Sequence, residues 1–272
     1  MKAYWSLFVA RFALLLQYRA AALAGVATQL FWGFVKVMVL EAFFTNTTSV
    51  QPMTFREAAG YVWLGQAFLF AIVPWGGDRE IQELIRSGAV GYDLIRPTDL
   101  YNFWFTRALA LRTAPLILRG IPLLGVAFFI LPLVGLSEQS LSFPPSFASF
   151  LAFFLSFIGA ILLSSALTML LTVSLMWTLS GEGINSILPT IVIVFSGMIV
   201  PLPLFPEWIK PFVYALPFSG LLDQPFRLFT GNLSPDALSH VLLHQIFWIV
   251  VIVILGRILV NRGVRKLVIQ GG

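Results

Sequence analysis

The sequence is dominated by apolar runs of roughly 20 residues, a length at which a helix crosses a hydrocarbon core of about 30 Å. Only 11% of the residues are charged, compared with about 25% in a soluble domain, so too little polar surface remains to face water. We therefore predict an all-α membrane protein with six transmembrane helices, at about residues 20–44, 58–75, 101–134, 147–175, 184–200 and 238–260. The 272 residues leave no room beside six spans for a separate soluble domain of ordinary size.

The first 19 residues, MKAYWSLFVARFALLLQYR, combine aromatic and aliphatic residues with three cations. An early Lys2 followed by apolar residues is also found in signal peptides. However, Arg11 and Arg19 interrupt the apolar run, and no convincing small-residue cleavage site follows. We interpret this segment as an amphipathic helix lying in the membrane interface, with its cations directed to the lipid headgroups.

The distribution of Lys and Arg predicts the orientation, because these residues are enriched in the cytoplasmic segments of membrane proteins. With the N-terminus inside, the inner segments contain Lys2, Arg11, Arg19, Arg79, Arg86, Arg96, Arg257, Arg262, Arg265 and Lys266. The outer segments contain only Arg56, Lys210 and Arg227. Both termini are therefore predicted to be cytoplasmic, as is the loop between the second and third spans.

That cytoplasmic loop contains a charged stretch, EIQELIRSGAVGYDLIRP (80–97), between two apolar runs. Ile81, Leu84 and Ile85 fall at i, i+3 and i+4 and share one helical face, and Gly88 can end the helix. An exposed apolar ridge on a short cytoplasmic helix suits docking into a groove of a partner protein. A helix that merely rests on the lipid surface is the alternative, and the residues alone leave both open.

A second unusual segment follows the fifth span, where six prolines lie between Pro201 and Pro225 and exclude one continuous helix. The segment is nevertheless apolar and aromatic, and irregular backbone at membrane depth is tolerated only when protein or a cavity surrounds it. We predict a re-entrant or interfacial helical hairpin on the outer side, with Asp223 and Arg227 near the headgroups. A long external loop anchored by aromatic residues is the alternative.

Two pairs of motifs give the sequence a family resemblance. The stretch SGMIVPLPLFPEWIKPFVYALPF followed by GLLDQPFRLFTG resembles the outer hairpin of ABC-2 type transporter permeases. YVWLGQAF (61–68) and the charged stretch 80–97 are similar to the subgroup that is usually encoded with a second permease and an ATPase. The resemblance covers nearly the whole chain.

The resemblance implies a permease subunit of an ABC exporter in the bacterial cytoplasmic (inner) membrane, driven by an ABC ATPase dimer that binds ATP and Mg²⁺. This chain itself would hold no cofactor, and its partners would be that ATPase, an identical or homologous second permease and membrane lipids, with no nucleic acid. The implied ATPase-coupling residues are Glu80, Ile81, Glu83, Leu84, Ile85, Arg86 and Gly88. The implied outer hairpin includes Ser196, Gly197, Pro201, Pro206, Trp208, Pro217 and Pro225.

The predicted organisation is one permease domain over 1–272. It divides into an interfacial helix (1–19), spans one and two (20–75), a cytoplasmic coupling segment (76–97), spans three to five (98–200), the outer hairpin (201–237), and span six with a basic tail (238–272). The fourth span is rich in small residues, which suit close helix packing either within one chain or between two permeases.

The sequence contains little that indicates catalysis or metal binding by this chain itself. No Gly-Lys pair occurs, so the phosphate-binding loop of an ATPase is absent, and we predict that the chain is not an enzyme. Arg119, deep in the third span, is a candidate contact for an anionic lipid or substrate group, while Arg107 and Arg112 are predicted to reach the inner headgroups. His240 and His244 have metal-compatible spacing, but with no further His and no Cys we predict no metal site.

Two other function classes remain open from the residues alone. A self-sufficient secondary transporter or channel usually has acidic residues near the membrane midplane and internal repeats, whereas most acidic residues here cluster at predicted span ends. An integral membrane enzyme acting on lipids would need a convergent polar site at one interface, and none is evident.

Overall fold

The computed structural model describes residues 2–178 and 182–265, which form helices joined by short connections and contain no strand in either range. The principal helices are α1 (Lys2–Leu15), α2 (Arg19–Asn46), α3 (Phe55–Ile72), α4 (Arg79–Arg86), α5 (Gly91–Leu94), α6 (Leu100–Leu133), α7 (Phe147–Ser174), α8 (Glu182–Phe195), α9 (Lys210–Ala215), α10 (Asp223–Thr230) and α11 (Leu238–Val264). Residues 179–181 of a predicted turn and 266–272 of the predicted basic tail lie outside the described residues.

Four of these helices, α2, α6, α7 and α11, are long and apolar enough to cross a membrane. The other two predicted spans, α3 and α8, are shorter, at 18 and 14 residues. The all-helical membrane fold predicted from the sequence is therefore confirmed at this level, whereas the count of six spans stays a prediction.

Local sequence explains where several helices begin. Thr54 and Glu57 form a reciprocal capping box at the start of α3, and Asp78 caps α4 by accepting a hydrogen bond from the Glu80 backbone N–H. Asp99 caps α6 in the same way. Both aspartates thus fix the ends of the segment that joins α3 to α6.

Helix α6 changes its winding twice, with π-helical turns at Leu116–Gly120 and Val126–Ile130. Pro115 precedes the first of these turns and Pro122 follows it. A proline lacks the backbone N–H that an α-helix requires and its ring clashes with the preceding turn, so the widened turns accommodate both prolines. Arg119 lies within the first widened turn.

Helix α7 lies at the centre of the bundle, and its small residues are buried within this one chain. Ser156, Ala160 and Ser164 are fully buried, and Gln245 of α11 packs directly over Gly159. Phe153 and Phe157 add aromatic contacts with Phe68 of α3. The structure therefore assigns the small-residue stripe to packing inside the subunit.

Candidate functional site

The coupling segment is fixed to the bundle by a network of four charges at one end of α4. The buried Asp78 carboxylate accepts hydrogen bonds from Arg107 of α6, at 2.7 Å to Nε and 2.9 Å to Nη2. It also accepts from Nη2 of Arg11 at 3.1 Å. Glu80 accepts from both guanidinium groups at 2.7 Å. The network therefore joins α1, α4 and α6, three elements that are far apart in the sequence.

This network corrects the predicted positions of two arginines. Arg11 was predicted to face lipid headgroups, but it is largely buried and paired with Asp78 and Glu80. Arg107 is likewise buried by these acids. Hydrogen bonds to a buried carboxylate stabilise a guanidinium more than contacts with lipid headgroups do, because water competes for the headgroups.

Arg112 also lies inside the protein, contrary to prediction. Its guanidinium donates to the carbonyl oxygens of Phe70, Val73 and Gly76 at 3.2, 2.7 and 3.0 Å, and to the Thr168 hydroxyl at 2.9 Å. Carbonyls at the end of a helix have no partner within that helix, so Arg112 satisfies those of Phe70 and Val73 at the end of α3, and it also binds the Gly76 carbonyl in the turn that follows. Its role in this structure is to join α3, α6 and α7.

The predicted apolar ridge of α4 faces inward. Ile81 and Ile85 are only 1% and 6% exposed, and they pack with Trp104 and Val173 in the core of the chain. Leu84 is partly buried against the same cluster. The expectation that this ridge is exposed for docking is wrong, because the nearby bundle offers it an apolar surface. The helix itself is present, and Gly88 follows it with φ 72°, as its predicted role in ending the helix requires.

The exposed apolar side chains of the coupling segment lie further along the chain. Asp93 is buried and accepts hydrogen bonds from Trp104 Nε1 at 3.0 Å and from Arg96 Nε at 3.1 Å. With Asp93 held inward, the neighbouring Tyr92 is 73% exposed and Ile95 is 81% exposed. Of the predicted coupling residues, Glu80, Glu83 and Arg86 are exposed as well. Sequence analysis did not single out Tyr92 and Ile95, although their spacing, i and i+3, also places two residues on one helical face.

Acidification should loosen the contact between α1 and α4. Hydrogen bonds from Arg11 and Arg107 hold the pKa of Glu80 below its ordinary value of 4.5. A depressed carboxylate pKa contributes stability above that ordinary value, and the contribution is lost as the pH falls through the lower pKa of the folded state. Because the chain has no cysteine, spin labels can be attached at Ser6→Cys and Ser87→Cys, both exposed positions. We expect pulsed electron paramagnetic resonance to show one narrow distance distribution at pH 7 and a broader one below about pH 4.

The Glu80→Gln variant is the control for this measurement, because it cannot ionise. It should show the broader distribution at both pH values. If the wild-type distribution were the same at both pH values, the Glu80 contacts would not hold α1 against α4.

A second feature is a cavity of about 630 Å³ between α2, α3, α6 and α8. Its polar lining consists of Lys36, Arg119, Gln29, Gln66 and Thr28, and the remaining lining is mainly aromatic and aliphatic. No Asp or Glu is among the described residues that line it. A cavity of this volume is within the range that holds small-molecule ligands.

Arg119 reaches this cavity through a close approach of α6 to α2. A Cβ atom placed on Gly25 would lie 2.6 Å from Cζ of Arg119, so a larger residue at this position would require the guanidinium to move. On its other side, Cζ lies 4.0 Å from the centroid of the Phe70 ring. The structure therefore places Arg119, the predicted lipid or substrate contact, in a cavity wall.

The outer hairpin is organised around the Asp223 carboxylate. This residue is 0% exposed; it accepts hydrogen bonds from the Tyr61 hydroxyl at 3.1 Å and from the Leu202 backbone N–H at 3.2 Å. Nη1 of Arg227 lies at 3.5 Å. The prediction that Asp223 lies near the headgroups is therefore wrong. Its carboxylate joins α3 to both halves of the hairpin.

The other predicted hairpin residues are divided between the interior and the surface. Ser196, Gly197, Pro201, Pro217 and Pro225 are buried, whereas Pro206 and Trp208 are exposed. Gly197 has φ 90°, a conformation that favours glycine, and its Cα faces the Tyr61 hydroxyl. The short helices α9 and α10 confirm that no single helix crosses the proline-rich segment.

The two histidines, His240 and His244, differ in their exposure to solvent. His240 is exposed, while His244 is half-buried beside Gly220. In the described ranges 2–178 and 182–265, no group of three or more His, Cys, Asp or Glu side chains has a geometry that could hold a metal ion.

A bundle with several long apolar helices belongs to the class of polytopic membrane proteins. The model of the ABC-2 family transporter proteins matches residues 30–271, and this chain belongs to that family. No curated protein matches the chain. Family membership implies association with an ABC ATPase.

Proposed function

We propose that this chain is the membrane-spanning permease subunit of an ATP-driven exporter, powered by a separate ATPase subunit that docks on the segment 76–97. Two permeases, identical or homologous, together form the translocation path in a bacterial cytoplasmic membrane. Each has six spans, cytoplasmic termini and a re-entrant outer hairpin. The subunit itself has no catalytic activity, and ATP and Mg²⁺ are bound by the partner.

The observation that carries this proposal is the attachment of the coupling segment. Asp78 ties its beginning to α1 and α6 through charge-assisted hydrogen bonds, and Asp93, near its end, accepts a hydrogen bond from Trp104 of α6. A segment held at two points moves as one body with the span to which it is attached. A push on its exposed side would therefore be transmitted to α6 and to the cavity that α6 lines.

Affinity purification of the tagged chain from its native membrane in mild detergent tests the proposal. We expect a stoichiometric ATPase subunit, identified by mass spectrometry, with or without a second permease. A chain that purifies alone, under conditions that preserve known membrane complexes, would favour a self-sufficient secondary transporter or channel.

The ATPase contact is predicted to centre on Tyr92 and Ile95. The double substitution Tyr92→Asp and Ile95→Asp should reduce recovery of the ATPase at least tenfold, because buried aromatic and aliphatic anchors at an interface each contribute about 1–3 kcal/mol. Insertion and the melting temperature should remain unchanged, since both side chains are exposed. Quantitative mass spectrometry of the purified complex measures the ratio.

Trp208→Asp is the matched control, because Trp208 is also highly exposed and lies in the outer hairpin. It should leave the ATPase ratio unchanged. Full ATPase recovery with the double variant, or an equal loss with the control, would contradict this docking surface. Ile81→Asp does not test docking, since the buried charge would disrupt the fold of the segment.

A further inference from the structure

Among the residues that the structure describes, the cavity that contains Arg119 is lined by positive charges only. Arg119 and Lys36 both line it, and the described lining residues include no acid to neutralise them. Positive charge at a wall of low dielectric constant attracts anions more strongly than the same charge in water. The charge of the cavity therefore favours anionic ligands over neutral or cationic ones.

The Arg119 guanidinium is positioned but has hydrogen-bond donors to spare. Its face stacks on the Phe70 ring at 4.0 Å, and Gly25 leaves space on the side of α2. Among the described residues, no acceptor is within hydrogen-bond distance of this guanidinium and no acid pairs with it. A guanidinium has five N–H donors along its edge, in a geometry that matches a carboxylate or phosphate.

Two further groups in the cavity have unused capacity. Lys36 Nζ donates to the Met198 carbonyl at 2.9 Å, which uses one of its three N–H donors. Gln29 donates through Nε2 to the Gln66 carbonyl at 2.6 Å, and its buried Oε1 has no partner among the described residues. A ligand hydroxyl close to an anionic group on Arg119 would satisfy Gln29, which is one turn from Gly25 on α2. Lys36 retains two N–H donors further along the same helix.

The remaining walls suit an apolar tail. Trp32, Leu69, Trp75 and Ile193 line the cavity, and Trp32 and Trp75 are exposed. Gly25 and Lys36 are 11 residues apart on α2, which places Lys36 about 16 Å from the level of Arg119 along the helix axis. That length accommodates a head group together with part of an acyl chain.

We propose that this cavity binds an amphiphile with an anionic head group, with Arg119 as the principal contact for the anion and the aromatic and aliphatic walls holding the tail. Lys36 provides a second cation further along α2. The assignment of this amphiphile as the transported cargo rests on the proposed function, whereas its binding to the cavity does not require the ATPase.

Photolabelling tests the binding directly. The purified chain, with any subunits that accompany it, is reconstituted in phosphatidylcholine nanodiscs with dodecyl phosphate that carries a diazirine in its tail. Dodecylphosphocholine with the same tail is the zwitterionic comparison. We expect the phosphate probe to label peptides that contain Trp32 and Leu69 at least about tenfold more than the phosphocholine probe, since one charge-assisted contact contributes about this factor.

Three variants separate recognition of the anion from general packing. Arg119→Gln should reduce labelling by the phosphate probe about tenfold. Gly25→Ala should weaken it in the same direction although all charges remain, because the added methyl group displaces the guanidinium. Lys210→Gln removes a cation that pairs with Glu207 in the outer hairpin, and should leave labelling unchanged.

Equal labelling by the two probes, or labelling that survives both Arg119→Gln and Gly25→Ala in folded protein, would overturn the proposal. Displacement of the phosphate probe by phosphatidylglycerol in the nanodisc would support it and identify a membrane lipid as the source of the head group. Displacement by millimolar inorganic phosphate would overturn the requirement for an amphiphile. Selective labelling of a chain that purifies without an ATPase would support this binding site while contradicting the proposed function.

Discussion

Replacing Asp78 by alanine is expected to lower the melting temperature of the purified chain by about 10 °C, corresponding to about 4 kcal/mol in the free energy of unfolding. The substitution removes the carboxylate that both Arg11 and Arg107 contact, and Arg107 is buried. Arg107 keeps its hydrogen bond to Glu80 but loses both of its bonds to Asp78. Removing one partner of a buried ion pair costs more than the pair contributes, because the remaining buried charge cannot regain water. The same change also removes the cap of α4.

Intrinsic tryptophan fluorescence during heating measures the shift, and hydrogen exchange locates it. Exchange should increase most in residues 79–97, which Asp78 fixes to α1 and α6. Glu207→Ala is the control, because it breaks an exposed ion pair with Lys210 and such pairs contribute less than about 1 kcal/mol. A melting temperature as high as that of the control would show that the network does not hold the segment.

A double variant distinguishes a stranded charge from a general packing defect. Asp78→Leu together with Arg107→Leu removes the buried pair and leaves apolar groups in its place, which is often neutral for stability. We expect it to be more stable than Asp78→Ala alone. A double variant less stable than the single one would indicate that the hydrogen bonds of Arg107, rather than the loss of one of its two acids, account for the loss of stability.

The second large effect is expected at the outer hairpin, where Asp223→Ala should destabilise the chain by about 3 kcal/mol. The substitution leaves the buried Leu202 backbone N–H without its acceptor, and it leaves the buried Tyr61 hydroxyl with only a long contact to the Ser196 carbonyl at 3.4 Å. Each buried polar group that is left unpaired costs about 1–3 kcal/mol. Limited proteolysis from the outer side should then cleave between residues 197 and 231, where the wild-type chain is protected by its packing on α3 and α7.

Asp223→Asn is the matched variant for this prediction. Its side-chain oxygen can still accept the hydrogen bonds from Tyr61 and Leu202, while the long contact with Arg227 at 3.5 Å loses its charge. We expect it to cost less than half as much as the alanine variant. An asparagine variant as unstable as alanine would show that the charge of Asp223, rather than its acceptor geometry, holds the hairpin.

The elements that sequence analysis predicted correctly are those that depend on short stretches of chain. The four longest spans follow from apolar runs of sufficient length. Gly88 follows the end of α4 with a positive φ, a local backbone conformation that favours glycine. The six prolines break the outer segment for the same reason. The cavity was visible only as single polar residues within apolar spans; of these, Arg119 was recognised, whereas Gln29, Gln66 and the space over Gly25 were not.

What the sequence by itself determined is the membrane class, the helices and the family, because hydrophobicity and backbone preference act over a few turns. What only the tertiary structure decided is the direction of each helical face and the partner of each charge. Spacing places Ile81 and Ile85 on one face, but whether that face meets a partner, lipid or the bundle depends on helices distant in sequence. Asp78 finds its cations 67 and 29 residues away, and lipid and protein interiors are both apolar, so composition cannot distinguish a buried face from an exposed one.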